Sequence, residues 1–147
     1  MLSEKIATLK LPPPLRVVSG TSVKEVIDQV QRHQAGCILV CEGRRLVGMM
    51  TERDVLMKVV ARDVSSDEPV DRFMTPHPQT LTADHTVGEA ISLMNQEYVP
   101  IVDKETGEAK ALFRVQDVID FLAESFPEQV INLPPRSDQQ MRTPEGA

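Results

Sequence analysis

The chain has 147 residues, a formal net charge of −6 and 41% apolar residues, enough for one compact domain or two small halves packed together. The acidic balance is the wrong sign for affinity built on displacing counterions from a nucleic-acid backbone, so nucleic acid is not an expected partner. The longest apolar runs, Cys37 to Cys41 and Leu46 to Met50, fall far short of the ~20 residues that span a bilayer.

The opening Met1-Leu2-Ser3-Glu4-Lys5 carries mixed charges and leads to Pro12-Pro13-Pro14 rather than to an apolar signal core. This predicts a cytoplasmic protein with no membrane partner. Arg16-Val17-Val18 reads as a short extended segment. Ser22 then stands three positions before Glu25, with apolar residues at Val23, Val26, Ile27 and Val30, the pattern of a capping box opening an amphipathic helix. Cys37 to Cys41, the polar turn Glu42-Gly43-Arg44-Arg45 and Leu46 to Met50 read as a buried hairpin. Val55, Leu56, Val59 and Val60 carry helical spacing after it.

The same order then repeats. Thr80-Leu81-Thr82 is the second extended segment. Thr86 and Glu89 open a second helix, with Val87, Ala90, Ile91 and Met94 on its stripe, and the two helices match position for position. Val99 to Val102 and Ala111 to Phe113 form the second hairpin, and Val118, Ile119, Leu122 and Ala123 the closing helix. Asp54 and Asp117 stand 63 residues apart. The fold class is therefore α/β (α+β), two β-α-β-β-α units, each leaving a sheet face that only its copy covers. The expected divisions are an N-terminal segment (1–14), repeat 1 (15–64), a linker (65–70), repeat 2 (71–126) and a loosely ordered tail (127–147).

Cys37 and Cys41 fall on one face of a strand and read as core. They lie roughly 13 Å apart at strand rise, too far for a disulfide. His33, His77 and His85 show no paired metal-ligand spacing, so no metal is expected. A nucleophile with its base, paired carboxylates and phosphate-loop glycines are all missing from the pattern, so no catalysis is expected.

Within this repeat, Leu46-Val47-Gly48-Met49-Met50-Thr51-Glu52-Arg53-Asp54-Val55 resembles the apolar strand, glycine and Ser/Thr-x-x-Asp signature of the CBS domain family. Asp71-Arg72-Phe73-Met74-Thr75-Pro76 resembles the start of a second copy. The resemblance is to the tandem pair called a Bateman module and covers residues 15–126. It implies two repeats facing each other around a pseudo-two-fold axis, with two clefts between them. It also implies an adenosine ligand, AMP, ADP, ATP or S-adenosylmethionine, and a homodimer formed through the helices after each signature. No cofactor is required beyond that regulatory ligand.

By the same resemblance Asp54 accepts from the ribose hydroxyls and Thr51 reaches sugar or phosphate. Thr51 and Asp54 also read as a capping box, and the two readings are compatible. Gly36, Cys37 and Ile38 would read adenine, and Arg53 and His77 would face phosphate. In the second copy Arg114 stands where Thr51 stands and Ala111 where Gly48 stands, while Asp117 is kept. Arginine can grip a phosphate bidentately or close the cleft by its bulk, so the cleft signed by Asp54 is the favoured one. Arg44 and Arg45 read as solvated. The function expected is a sensor that passes ligand binding to an effector protein through its dimer interface. The alternative is a ligand-free interaction module using the same surface.

Overall fold

In the computed structural model, which describes residues 2–125, Ser22 opens the first helix as its sequence context predicts. Its hydroxyl accepts from the Glu25 amide at 3.1 Å, and α1 runs Val23–His33. The box is only half closed, because the Glu25 carboxylate takes a hydrogen bond from Gln29 Nε2 instead of reaching back. Gln34, in the left-handed region at φ 51°, ends the helix by donating its amide to the Gln31 and Val30 carbonyls.

Around α1 the first sheet has the order β1-β2-β3-β4. β1 (Arg16–Val18) runs parallel to β2 (Cys37–Glu42), which pairs antiparallel with β3 (Arg45–Thr51), and β4 (Thr75–Pro76) lies antiparallel on the far side of β3. The turn is tighter than the predicted 42–45, since Glu42 and Arg45 already pair and only Gly43-Arg44 loops out. Gly43, at φ 58°, supplies the positive φ that such a two-residue loop requires at its first position.

β2 is buried on both faces. Ile38 and Val40 join Val23, Val26, Met50, Val59 and Val70 in the core beneath α1. Cys37, Leu39 and Cys41 join Met49, Ala109 and Leu112 in a second core drawn from both repeats. The alternation along one strand thus serves two cores.

The first helix of the second copy is shorter than predicted. Thr86 and Glu89 close a complete capping box, with Thr86 N to Glu89 Oε1 at 2.9 Å and Glu89 N to Thr86 Oγ1 at 3.1 Å. Yet α3 covers only Val87–Ser92, so Met94 falls beyond the helix and the position-for-position match of the two helices does not hold. The chain has fewer residues before β5 (Tyr98–Val102) and turns at Leu93 and Met94 to reach it. β5 pairs antiparallel with β6 (Ala109–Arg114). The predicted strand Thr80–Thr82 reduces to a single parallel bridge between Leu81 and Ile101. It ends there because the Thr82 amide turns away to His85 Nδ1 at 3.0 Å.

The two repeats exchange their leading segments. Val23 N and Lys24 N donate to the carbonyls of Glu68 and Ser66, and Val87 N and Gly88 N donate to those of Glu4 and Leu2. Val70 N reaches Thr21 O and Ile6 N reaches His85 O, both at 2.8 Å. Each pair repeats 64 residues along, so the segment before either repeat caps the first helix of the other. That reciprocity is what a two-fold relation produces. Short 3₁₀ turns, Ile6–Thr8 and Val70–Arg72, sit at the matching places, and both Ile6 and Val70 are buried.

After β3, α2 (Glu52–Asp54) opens with a full capping box between Thr51 and Asp54. It continues as a π-helix over Val55–Val60 rather than as the single α-helix that the apolar spacing suggests. Ala61 N to Leu56 O and Val64 N to Val59 O are the wider i to i−5 bonds. Val59 is buried, while Leu56, Met57 and Val60 are 55–62% exposed. The last element, α4 (Val115–Ser125), carries Asp117 in its first turn. Residues 2–115 form one compact unit, and residues 116–125 belong to a second. The tail expected over 127–147 lies outside the described residues.

Candidate functional site

β5 and β6 present Tyr98 and Arg114 directly opposite each other, as β2 and β3 present Cys37 and Thr51. Counted along the ladders, Tyr98 is the second-copy counterpart of Cys37 and Arg114 that of Thr51. A cleft of about 470 Å³ opens here, walled by Pro12–Leu15, the α1–β2 turn from His33 to Cys37, and Tyr98, Leu112 and Arg114. Its volume falls in the range of small-molecule sites. Pro12, Pro13 and Pro14 form one wall.

Gly36 leaves room for the Tyr98 ring at this cleft. A Cβ placed there would lie 1.9 Å from the Tyr98 hydroxyl, so only glycine lets that ring pack against the α1–β2 turn. Its carbonyl accepts from the Glu52 amide at 3.0 Å, which holds the turn to the start of α2. Cys37 is buried, and burial first, then the charges of Asp54 and Glu97, push its thiol up to about 12. It is a protonated core thiol, not a nucleophile. The Tyr98 phenol is raised by burial first, then by Cys37, Glu97 and Glu52, with Arg114 pulling the other way.

The candidate residues fall in different places. Gly36 and Cys37 line the cleft together with Arg114, not with Thr51 and Asp54, because strands of opposite repeats pack face to face. Arg114 does not close the cleft by its bulk; it forms part of the wall. Ile38 is fully buried in the core under α1, so only its backbone is offered at the sheet's other face. Arg53 is exposed on α2. His77, exposed and at φ 48°, donates its amide to Val47 O, which places it four residues up β3 from Thr51, roughly 13 Å at strand rise. Asp117 lies at the start of α4 in the second unit.

Thr51 and Asp54 are not among the residues that line this cleft, and they close on each other as a capping box. Thr51 N donates to Asp54 Oδ2 at 3.0 Å and Asp54 N to Thr51 Oγ1 at 3.1 Å. The other carboxylate oxygen faces Lys58 Nζ at 3.5 Å, and Lys58 also donates to Phe73 O at 3.2 Å. Each carboxylate oxygen still has a lone pair beyond these bonds. Sequence reasoning did not single out Lys58, weighed His33 only as a metal ligand, and gave the Tyr98 side chain no role. The signal for Tyr98 was present: it is the one tyrosine of the chain, reached by counting back from Arg114 along the predicted hairpin.

Among the described residues no cluster of His, Cys, Asp and Glu could hold a metal ion, and no helix is long and apolar enough to cross a membrane. The family model for the CBS domain matches the chain twice, at residues 6–61 and 70–124. A CBS domain-containing protein of Arabidopsis thaliana, CBSCBSPB5, is 29% identical over 95 residues, covering 62% of this chain but only 17% of that protein. Among solved structures, the CBS domain protein PAE2072 from Pyrobaculum aerophilum, complexed with AMP, matches with a TM-score of 0.73 at 23% identity over 82% of this chain and 96% of that one. The CBS domain pair of MJ0100, in complex with 5′-methylthioadenosine and S-adenosyl-L-methionine, matches with a TM-score of 0.71 at 20% identity over 82% of this chain and 97% of that one.

Proposed function

Because the chain belongs to the CBS domain family and carries two copies of its unit, we propose that it is a regulatory module whose cleft between the repeats takes an adenosine ligand. The observation that carries this reading is the 470 Å³ cleft, apolar along Pro12–Leu15 and Leu112 and open beside the backbone of Gly36 and Cys37. A flat apolar base fits between such walls, and backbone groups read its edge. AMP in the Pyrobaculum protein, and 5′-methylthioadenosine with S-adenosylmethionine in MJ0100, support the choice of ligand. Asp54 with Thr51 in one copy and Asp117 in the other are the family-derived candidates for the ribose hydroxyls. Arg53 and His77 are weaker phosphate candidates, since both are exposed and His77 lies up the strand from Thr51.

Binding between two repeats favours one mutual arrangement of them, which a partner surface then reads. The exposed Leu56, Met57 and Val60, beside Ile27 and Val30, supply such a surface, and a second copy of the chain is the proposed occupant. The same apolar face favours the second reading, an interaction module that works without ligand. A thermal-shift panel of AMP, ADP, ATP and S-adenosylmethionine separates the two. A ligand at ~100 times its dissociation constant adds ~2.7 kcal/mol, several degrees of melting temperature. No shift with any of the four supports the interaction module.

A further inference from the structure

The segments that lead into the two repeats are anchored alike but end differently. Residues 2–8 hold the second repeat: the Leu2 and Glu4 carbonyls accept from Gly88 N and Val87 N, and Ile6 N and Ala7 N donate to His85 O and Ala83 O. Ile6 is buried there, and a Cβ on Gly88 would lie 3.1 Å from Leu2 O, so the contact is close. The matching stretch on the first repeat's helix, where Ser66 O and Glu68 O accept, continues into β4, and Thr75 pairs with Met49 of β3. Leu11, 64 residues before Thr75, pairs with no strand. Among the described residues, Lys10 to Pro14 carry no backbone hydrogen bond, and β6 has β5 on one side and no strand on the other. The far end is tethered, because Leu39 N donates to Leu15 O at 2.9 Å. Pro12, Pro13 and Pro14 wall the cleft together with Leu112 of β6, the second-copy counterpart of Met49 when counted from Arg114 and Thr51. The fixed φ of the prolines and their extended rise of ~3.1 Å per residue make this stretch move as one stiff piece.

We propose that residues 9–14 are a strap that closes on β6 when the cleft is filled, Leu11 taking against Leu112 the place that Thr75 takes against Met49. The closing strap tightens the hold of residues 2–8 on α3, so that occupancy of the cleft is felt at Val87 and Gly88. An occupied cleft gives the proline wall an apolar face to pack on, which is the differential contact that a shift toward the closed form requires. The proposal rests on the adenosine reading of the cleft.

The test is amide exchange by NMR on the full chain with and without saturating AMP, binding itself being read by calorimetry. AMP slows the Leu11 amide about tenfold, the factor for a strap closed roughly nine-tenths of the time. It slows Val87 and Gly88 at least about threefold more than their counterparts Val23 and Lys24, which report the general stabilisation by ligand. A chain carrying Lys10→Gly and Leu11→Gly, both outside the cleft lining, still binds AMP, more weakly, and loses that excess at Val87 and Gly88. AMP binding with Leu11 unslowed overturns the strap and leaves the adenosine reading standing. Equal slowing of Val87, Gly88, Val23 and Lys24 overturns the link to α3, as does an excess that survives the double glycine change. Absence of AMP binding overturns the adenosine reading and the strap together.

Discussion

Gly48 is the glycine of the repeat's signature, and the structure gives it a steric reason. It is buried in β3 between Val40 and Pro76. A Cβ there would lie 2.2 Å from Met74 Sδ and 2.8 Å from Met74 Cγ and Cε, far inside the ~3.5–4.0 Å of carbon contact. Met74 packs on the core of Val23, Val26 and Ile38, so it yields only by disturbing that core. Gly48→Ala therefore overpacks, at a cost of about 1–2 kcal/mol, the low side of the usual range because methionine adapts. The melting temperature falls by roughly 3–10 °C at fixed protein concentration. Met74→Ala opens the space that the new methyl needs. The double variant is then less destabilised than the sum of the singles by at least ~0.5 kcal/mol in urea melts followed by circular dichroism. Additivity of the two changes would refute the contact. Lys10, which stands 64 residues before Met74, is exposed, in keeping with an alanine, Ala111, at the matching position of β6.

Three further outcomes follow from the same geometry. Ile6 is 2% exposed in the arm that caps the other repeat's helix, so Ile6→Ala costs about 2–4 kcal/mol in chemical denaturation and raises amide exchange at Val87 and Gly88. Asp71 accepts from Ser19 Oγ and from Gly20 N at 2.6 Å. Burial opposes its ionisation, but these bonds outweigh it and hold the carboxyl below its usual value. Its folded-state value is thus the lower one, so its stabilisation is complete above the unfolded carboxylate value near ~4 and is lost as pH falls toward the folded one. Asp71→Asn lowers the melting temperature at pH 7 and shrinks its fall between pH 5 and 3; an unchanged acid slope contradicts this. Cys37 and Cys41 are buried, with both thiols raised mainly by burial, so a thiol reagent at pH 8 labels neither until the protein unfolds.

The repeat was legible because apolar spacing and caps are local. Ser22, Thr51 and Thr86 each announce a helix start with a side chain that the next turn can reach, and all three accept the expected amide. The alternation of Cys37, Leu39 and Cys41 with Ile38 and Val40 likewise places the strand between two cores. What stayed hidden depends on how the copies meet. That Gly36 shares a cleft with Arg114 follows from strands of opposite repeats packing together, and no spacing within one repeat encodes it. The exchanged arms use backbone carbonyls of Glu4 and Glu68, which have no side-chain signature. The π-helical winding after Asp54 keeps Val59 inward and leaves Leu56 and Val60 exposed, while the apolar spacing alone reads as an ordinary helix.

The most direct test of the adenosine-cleft reading is hydrogen–deuterium exchange of the full chain with and without saturating AMP. AMP is expected to slow exchange in the peptides that hold Leu15, Gly36 and Cys37 and in the one that holds Tyr98, the walls contributed by the two repeats. No protection in these peptides, or protection confined to other segments, would contradict it.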